Sequence, residues 1–266
     1  MGGSQETRSD GVMDTKVLGA VKDIVAGATN IVFFGGAGVS TTSGIPDFRS
    51  ATGLYNQRRG SKYPPETMLS RAFMLQHPQE FYDYHLNNLI ARDAKPNPAH
   101  LSLAALEEAG KLKAIITQNI DGLHQAAGSK NVIELHGNTY KFYCMGCGTK
   151  YDLAFVDSAN SLPPTCSICG KMVRPDVVLY GEALDAEVMQ AAIDAIRKAE
   201  VLIVGGTSLV VYPAAGLIDY YSGKNLVLVN REETPLDYKA KYVLHGDIAE
   251  ILPVLAGMFD PKTKAW

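Results

Sequence analysis

The sequence predicts an α/β fold in which a parallel sheet is covered on both faces. Three observations carry that expectation. Short all-apolar runs alternate with helical patterns, as strands buried on both sides require. Several of those runs end in small or polar residues, Gly36, Asn119, His136, Thr207 and Asn230, and strand C-termini form the ligand crevice of an open parallel sheet. All four cysteines, Cys144, Cys147, Cys166 and Cys169, stand apart in one window as two C-x2-C pairs. The length of 266 residues gives about two domains as a soft prior. A hydrophobic content of 46% with 20% charged residues supplies a real core and excludes wholesale disorder.

Each element has a local reason. Val17, Leu18, Val21, Ile24 and Val25 lie on one face of a helix expected over 14–28, which Asp14 or Thr15 can cap. A buried strand over 30–34 feeds a glycine turn at Gly35–Gly38. Residues 43–65 hold Gly, Pro and charge without period and read as a long functional loop. Helices are expected over 78–92 and 99–109, then a strand over 112–117 and a short strand over 132–135 ending at His136. The cysteine module fills 139–174. A helix over 185–198, strands over 201–204 and 225–229, an edge strand over 241–244 and a helix over 247–258 complete the chain.

Composition excludes several classes. The formal net charge of −3 argues against a general electrostatic grip on nucleic acid or an anionic membrane. No run approaches a membrane helix. Residues 1–13 lack the apolar segment of a secretory signal and read as a mobile polar tail. With no such signal, clustered cysteines point to a reducing compartment and a metal rather than to disulfides.

The cysteine spacing is the most specific local signal. Two C-x2-C knuckles bring four thiolates to one point, the donor set of tetrahedral Zn²⁺. A closed four-thiolate shell leaves no open position, so the metal should be structural. A redox role for one pair would leave the other idle. Basic residues in 140–174 are only Lys141, Lys150, Lys171 and Arg174, against Asp152 and Asp157. That is a poor footing for a nucleic-acid-binding or scaffolding module.

The segment Gly36-Ala37-Gly38-Val39-Ser40-Thr41 partly matches a dinucleotide fingerprint: glycines admit a pyrophosphate and a following helix start offers N–H groups. The acidic ribose partner a dehydrogenase needs about 20 residues later is missing. Gly206-Thr207-Ser208 forms a second small-residue turn, and Asn230 and Glu232 lie past another strand where a ribose could bond. Phe48 could cover a planar ring and Arg49 could pair with a phosphate. Asp121 either caps the next helix or lines the crevice. His136, at a strand end beside the expected nucleotide cleft, reads as a general base. A serine elbow, a free Cys nucleophile and a P-loop are absent from the sequence.

Together these segments resemble the sirtuins, NAD-dependent protein lysine deacylases. The resemblance spans about residues 17–255 and rests on ordered motifs: GAGVSTTSGIPDFR from Gly36, TQNID from Thr117, ELHG from Glu134, the cysteine pairs, RPDVVLYGE from Arg174, GTSLVVYPAA from Gly206 and VNRE from Val229. It implies a Rossmann-like domain (14–50, 96–138 and 175–266) and a small lobe made of a helical insertion (51–95) and a zinc module (139–174).

It also implies roles. The catalytic residues would be His136, as the base, and Asn119, on the nicotinamide side. NAD contacts would come from Gly36, Ala37, Gly38, Ser40, Asp47, Phe48 and Arg49. Further contacts would come from Gln118, Asn119, Ile120, Asp121 and His136, then Gly206, Thr207 and Ser208, and finally Asn230, Arg231, Glu232, Asp247 and Ile248. Val178, Leu179, Tyr180 and Gly181 would pair with an acyl-lysine peptide. The substrate carbonyl itself would attack NAD, which accounts for the missing protein nucleophile. Members that prefer succinyl or malonyl groups carry Tyr followed three residues later by Arg. Here Tyr82 is followed by His85, so neutral acyl groups, acetyl first, are expected. The compact chain looks bacterial or archaeal, cytoplasmic and monomeric. Mono-ADP-ribosyl transfer to protein on the same scaffold stays open as an alternative.

Overall fold

The computed structural model describes residues 15–47, 53 and 63–258. The tail and the greater part of the loop after Asp47, with Phe48 and Arg49, lie outside the described residues.

In chain order, α1 (Thr15–Gly27) leads into β1 (Ile31–Gly35). Three helices follow: α2 (Pro65–Met68), α3 (Arg71–Gln76) and α4 (Pro78–Asn88). Then come α5 (Pro98–Glu108), β2 (Leu112–Thr117), α6 (Leu123–Ala126) and β3 (Val132–Glu134). The cysteine region contains β4 (Gly137–Cys144), β5 (Lys150–Asp152), α7 (Leu153–Asp157) and β6 (Val173–Val177). The chain finishes with α8 (Ala186–Lys198), β7 (Val201–Gly205), β8 (Asn225–Asn230), β9 (Tyr242–His245) and α9 (Ile248–Leu255).

Six strands form one parallel sheet in the order β3-β2-β1-β7-β8-β9. The apolar runs predicted as strands are these six. β1 and β7 are buried at every position, as central strands must be. One face packs on α1, α5 and α9 through Leu18, Val21, Leu103, Ile251 and Leu252. The other packs on α8 and a 3-10 helix, Ala214–Tyr220, through Ala192, Ile196, Leu217 and Ile218. α8 follows the rules for a stable helix: Asp185 accepts the N–H groups of Glu187 and Val188, and Arg197 and Lys198 occupy the last turn.

A second sheet of three antiparallel strands, β5-β4-β6, packs with α2, α3 and α4 around Phe73, Met74, Phe81, Tyr82 and Phe142. The two sheets are joined directly. Edge strand β3 passes through Leu135 and His136 into β4. Gly137 makes that turn at φ +77, where a Cβ would stand 2.0 Å from the Asp176 carbonyl oxygen, so only glycine fits.

Three local expectations are corrected. The glycine turn does not open an α-helix; two 3-10 turns, Ala37–Val39 and Thr41–Ser43, follow, and Gly44 at φ 84 ends them. α4 stops at Asn88 and α9 at Leu255, both short of their expected ends. α2 and α3, of four and six residues, are too short to show a helical period.

Candidate active site and metal centre

Strand register alone gathers the candidate residues. Gly35 is level with Thr117 on one side and Gly205 on the other, Gly205 with Val229, Thr117 with Glu134, and Asn230 with His245. The segments beginning at Gly36, Gln118, Leu135, Gly206 and Asn230 therefore leave the sheet along one edge. β1 and β7 are neighbours whose successors run in opposite directions across the sheet, the switch point where open α/β sheets hold ligands.

At that point the two glycine turns touch. The Gly38 N–H donates to the Gly206 carbonyl at 2.8 Å. A Cβ on Gly38 would lie 2.8 Å from Gly206 Cα, and one on Gly206 (φ +60) 2.5 Å from the Val39 nitrogen. Both glycines are needed for this backbone approach, whatever ligand lies above. The Val39 and Ser40 N–H groups bond back to Gly36 and Ala37. Among the described residues, the N–H groups of Ala37 and Ser208 have no acceptor.

Gln118 joins three strand ends. Its N–H donates to the Gly35 carbonyl at 3.0 Å and its side-chain amide to Thr207 Oγ1 at 3.0 Å. Its carbonyl lies 2.9 Å from His136 Nδ1. A carbonyl can only accept, so Nδ1 carries the proton and Nε2 is left with a lone pair. Burial pushes the His136 pKa below 6.5, partly offset by the Gln118 carbonyl, and keeps the ring neutral near pH 7.

Below the turn lies a polar knot. Ser40, almost wholly buried, donates to Asp121 Oδ2 at 2.7 Å and accepts from the Asn119 amide at 3.0 Å. The Asn119 N–H is held by Thr117 Oγ1. Asp121 satisfies both of its expected readings, because Oδ1 also accepts the Leu123 N–H at 2.9 Å at the start of α6. Burial raises the Asp121 carboxyl above its ordinary range against these two hydrogen bonds. Ile120 accepts the Thr139 N–H and packs on the core beneath the three-stranded sheet.

Sequence reasoning missed how this knot is anchored. Asn97 caps α5 in a reciprocal box with His100 and donates to the Val39 carbonyl at 2.8 Å and to Ser43 Oγ at 3.0 Å. His100 Nε2 stands 3.5 Å from Ser40 Oγ. The Asn97-Pro98 pair, a helix-start signature, was the available signal.

At the far side of the edge, Asp247 caps α9 through the Ala249 N–H at 2.9 Å and pairs with Arg231 at 2.6 Å. Thr42 reaches the same carboxylate at 3.4 Å. The Asn230 side chain donates to the Glu232 carbonyl at 2.9 Å, leaving the Glu232 carboxylate exposed. Ile248 is different: its side chain is buried beneath the sheet against Gly205, so any contact in the crevice would be through its backbone. Asp47 is half-buried at the end of the described segment.

Residues 178–181 run beside His136. The Val178 N–H donates to the His136 carbonyl at 3.0 Å, and the Tyr180 N–H and carbonyl pair with Leu69 and Arg71. Gly181 turns the chain at φ +87.

The four cysteine sulfurs lie within 4.8 Å of one another. Cys144 and Cys169 are 3.3 Å apart, Cys147 and Cys166 3.6 Å. The N–H groups of Gly146 and Ile168 point at Cys144 and Cys166 sulfur, at 3.2 and 3.4 Å, as they would toward metal-bound thiolates. This donor set fits one structural Zn²⁺.

The Sir2 family model matches residues 36–213. An NAD-dependent protein deacetylase of Clostridium perfringens is 56% identical over 241 residues, covering 90% of this chain and 98% of that protein. One from Cutibacterium acnes is 51% identical, covering 85% and 91%. Among solved structures, one described as Sir2 bound to acetylated peptide superposes with a TM-score of 0.79 at 40% identity, covering 91% of this chain and 98% of that one.

Proposed function

The chain belongs to the Sir2 family of NAD-dependent protein deacetylases, and from that premise we propose how its own residues carry the reaction. NAD is a co-substrate lying across the β1/β7 switch point. Its phosphates meet the free N–H groups of Ala37 and Ser208, with Gly36, Gly38, Gly206 and Thr207 shaping the turn. Its adenosine end lies over Asn230, Arg231, Glu232 and Asp247. Its nicotinamide end reaches toward Ser40, Asn119 and Asp121.

The acyl-lysine carbonyl oxygen forms the bond to the nicotinamide-ribose C1′, and the C–N bond to nicotinamide breaks. His136 Nε2 takes the proton of a ribose hydroxyl, which then attacks the acyl carbon. Water completes the exchange, giving free lysine and O-acyl-ADP-ribose. The protein supplies no covalent nucleophile because the substrate is one. Zn²⁺ held by Cys144, Cys147, Cys166 and Cys169 fixes the small domain and takes no part in the chemistry.

The observation that carries this reading is the His136 geometry. A neutral imidazole, its tautomer set by the Gln118 carbonyl, stands at the junction of the two sheets. The Val178 N–H binds the backbone of that same residue.

Neutral acyl groups are the preferred substrates. Tyr82 and His85 are both fully buried. The Tyr82 hydroxyl donates to the Val173 carbonyl, and His85 Nε2 lies 3.0 Å from Thr139 Oγ1. Burial, with Arg174 nearby, lowers the His85 pKa to about 4, so it offers no cation to an acyl carboxylate at neutral pH.

The test is to incubate the zinc-loaded protein with NAD and acetyl-lysine peptide and follow both by mass spectrometry. Loss of the acetyl mass with equal nicotinamide and O-acetyl-ADP-ribose, absent without NAD and in His136→Ala, supports the reading. NAD consumption with ADP-ribose appearing on protein, and the acetyl group intact, would replace it with ADP-ribosyl transfer.

A further inference from the structure

The mechanism above leaves one buried ion pair unused. The Arg174 side chain is 4% exposed and meets Glu182, 19% exposed, in a two-bonded fork of 2.5 and 2.9 Å. Two more guanidinium donors reach the carbonyls of Pro175 at 3.2 Å and Val177 at 2.8 Å. Glu182 is equally committed. Its Oε2 accepts the Leu179 N–H at 2.9 Å, and its own N–H returns to the Leu179 carbonyl at 2.9 Å. Arg71 of α3 approaches the same carboxylate at 3.6 Å.

Residues 177–182 are thus wrapped around one guanidinium. Two further ties set where the loop stands: Tyr180 is laddered to Leu69 and Arg71, and the Val178 N–H to His136. The Val178 carbonyl is left with no donor among the described residues.

A buried ion pair is weak evidence of stabilisation, because desolvation offsets its Coulomb gain; its attested use is to select one conformation. Here the conformation selected is that of a single loop beside the imidazole. We propose that the Arg174–Glu182 pair positions the acyl-lysine peptide, holding residues 177–182 so that Val178 presents its main chain alongside His136. This rests on the reading of 178–181 as the peptide-pairing segment. Both residues act through the loop and touch neither peptide nor NAD.

The experiment compares wild type, Glu182→Gln and the double variant Arg174→Met/Glu182→Leu. It reads kcat, both KM values, thermal midpoint and zinc content. Replacing both partners with apolar side chains leaves no buried charge unpaired. The Pro175 and Val177 carbonyls and the Leu179 N–H lose a side-chain partner, which lowers the midpoint. The double variant is therefore assayed below its own midpoint, where it is folded. A structural role would then leave its kinetics untouched. A positioning role raises the peptide KM about tenfold in both variants with kcat and the NAD KM little changed. An unchanged peptide KM in the zinc-replete double variant overturns the role while the enzyme reading stands. A wild type with no NAD-dependent deacetylation overturns both.

Discussion

Acid should unfold this protein through its buried imidazoles. His85, His100 and His124 are all at most 1% exposed. Burial lowers their pKa values from 6.5 to about 4, about 4 and about 3. Arg174 adds to the shift at His85 and His100 at His124, whose ring centroid is 4.8 Å from that of His100. Among the described residues, neither His124 ring nitrogen has a hydrogen-bond partner. Below pH 6.5 the unfolded chain binds protons that the folded chain refuses. The three residues therefore contribute stability that is whole above that pH and is lost as pH falls toward about 4. At pH 5 the gap from 6.5 is about 1.5 units, so each residue contributes about 2 kcal/mol of loss and the three about 6 kcal/mol. That is comparable with the whole stability of many domains, about 5–15 kcal/mol. The depressed His136 shifts stability in the same direction. The raised Asp121 carboxyl opposes it, because the folded chain takes up that proton first. Glu182, held low by Arg174 and Leu179, acts only below the ordinary carboxylate range. Urea unfolding at pH 7.5 and 5.0 measures the difference. In His124→Leu the difference should shrink by about 2 kcal/mol. An undiminished difference in that variant, or a wild type losing less than about 2 kcal/mol, would refute the assignment of neutral buried imidazoles.

Gly206→Ala should cost about 3 kcal/mol and weaken ADP-ribose binding, because it adds a Cβ at φ +60 against the Val39 and Gly38 backbone. Gly110→Ala, at φ +71 but in open space, should cost only about 1 kcal/mol, with both read by chemical denaturation. The kcat/KM profile should rise with pH through a midpoint below 6.5, set by the depressed His136; a midpoint above 7 would remove it as the base. Metal analysis should find one zinc per chain, and Cys147→Ser should lose it together with protection of the small domain from proteolysis.

The sequence made the large sheet legible because its strands are unbroken apolar runs such as Ile31–Gly35 and Val201–Gly205. Period and punctuation suffice for such segments. They fail for α2 and α3, one or two turns long and held by Phe73 and Met74 in a tertiary core. They fail also for β4, whose register shifts between Asn138 and Phe142 and breaks any alternation. At the site, the glycine turns were visible as a motif but not for their physical reason, the contact of Gly38 with Gly206 from a strand far along the chain. Asp121 shows the same limit. Its role as a cap is local and readable, whereas its bond to Ser40, 81 residues away, is a product of the fold. The Arg174–Glu182 fork could not be foreseen from spacing, since it depends on a loop closing back over β6.

In the proposed reaction the substrate's own acyl oxygen attacks NAD. The direct measurement uses an acetyl-lysine peptide labelled with ¹⁸O at the acetyl carbonyl, rapid quenching and mass spectrometry of the products. The mechanism predicts one ¹⁸O in the ADP-ribose portion of O-acetyl-ADP-ribose, with nicotinamide formed in equal amount. Label recovered only in acetate, with NAD intact, would contradict it.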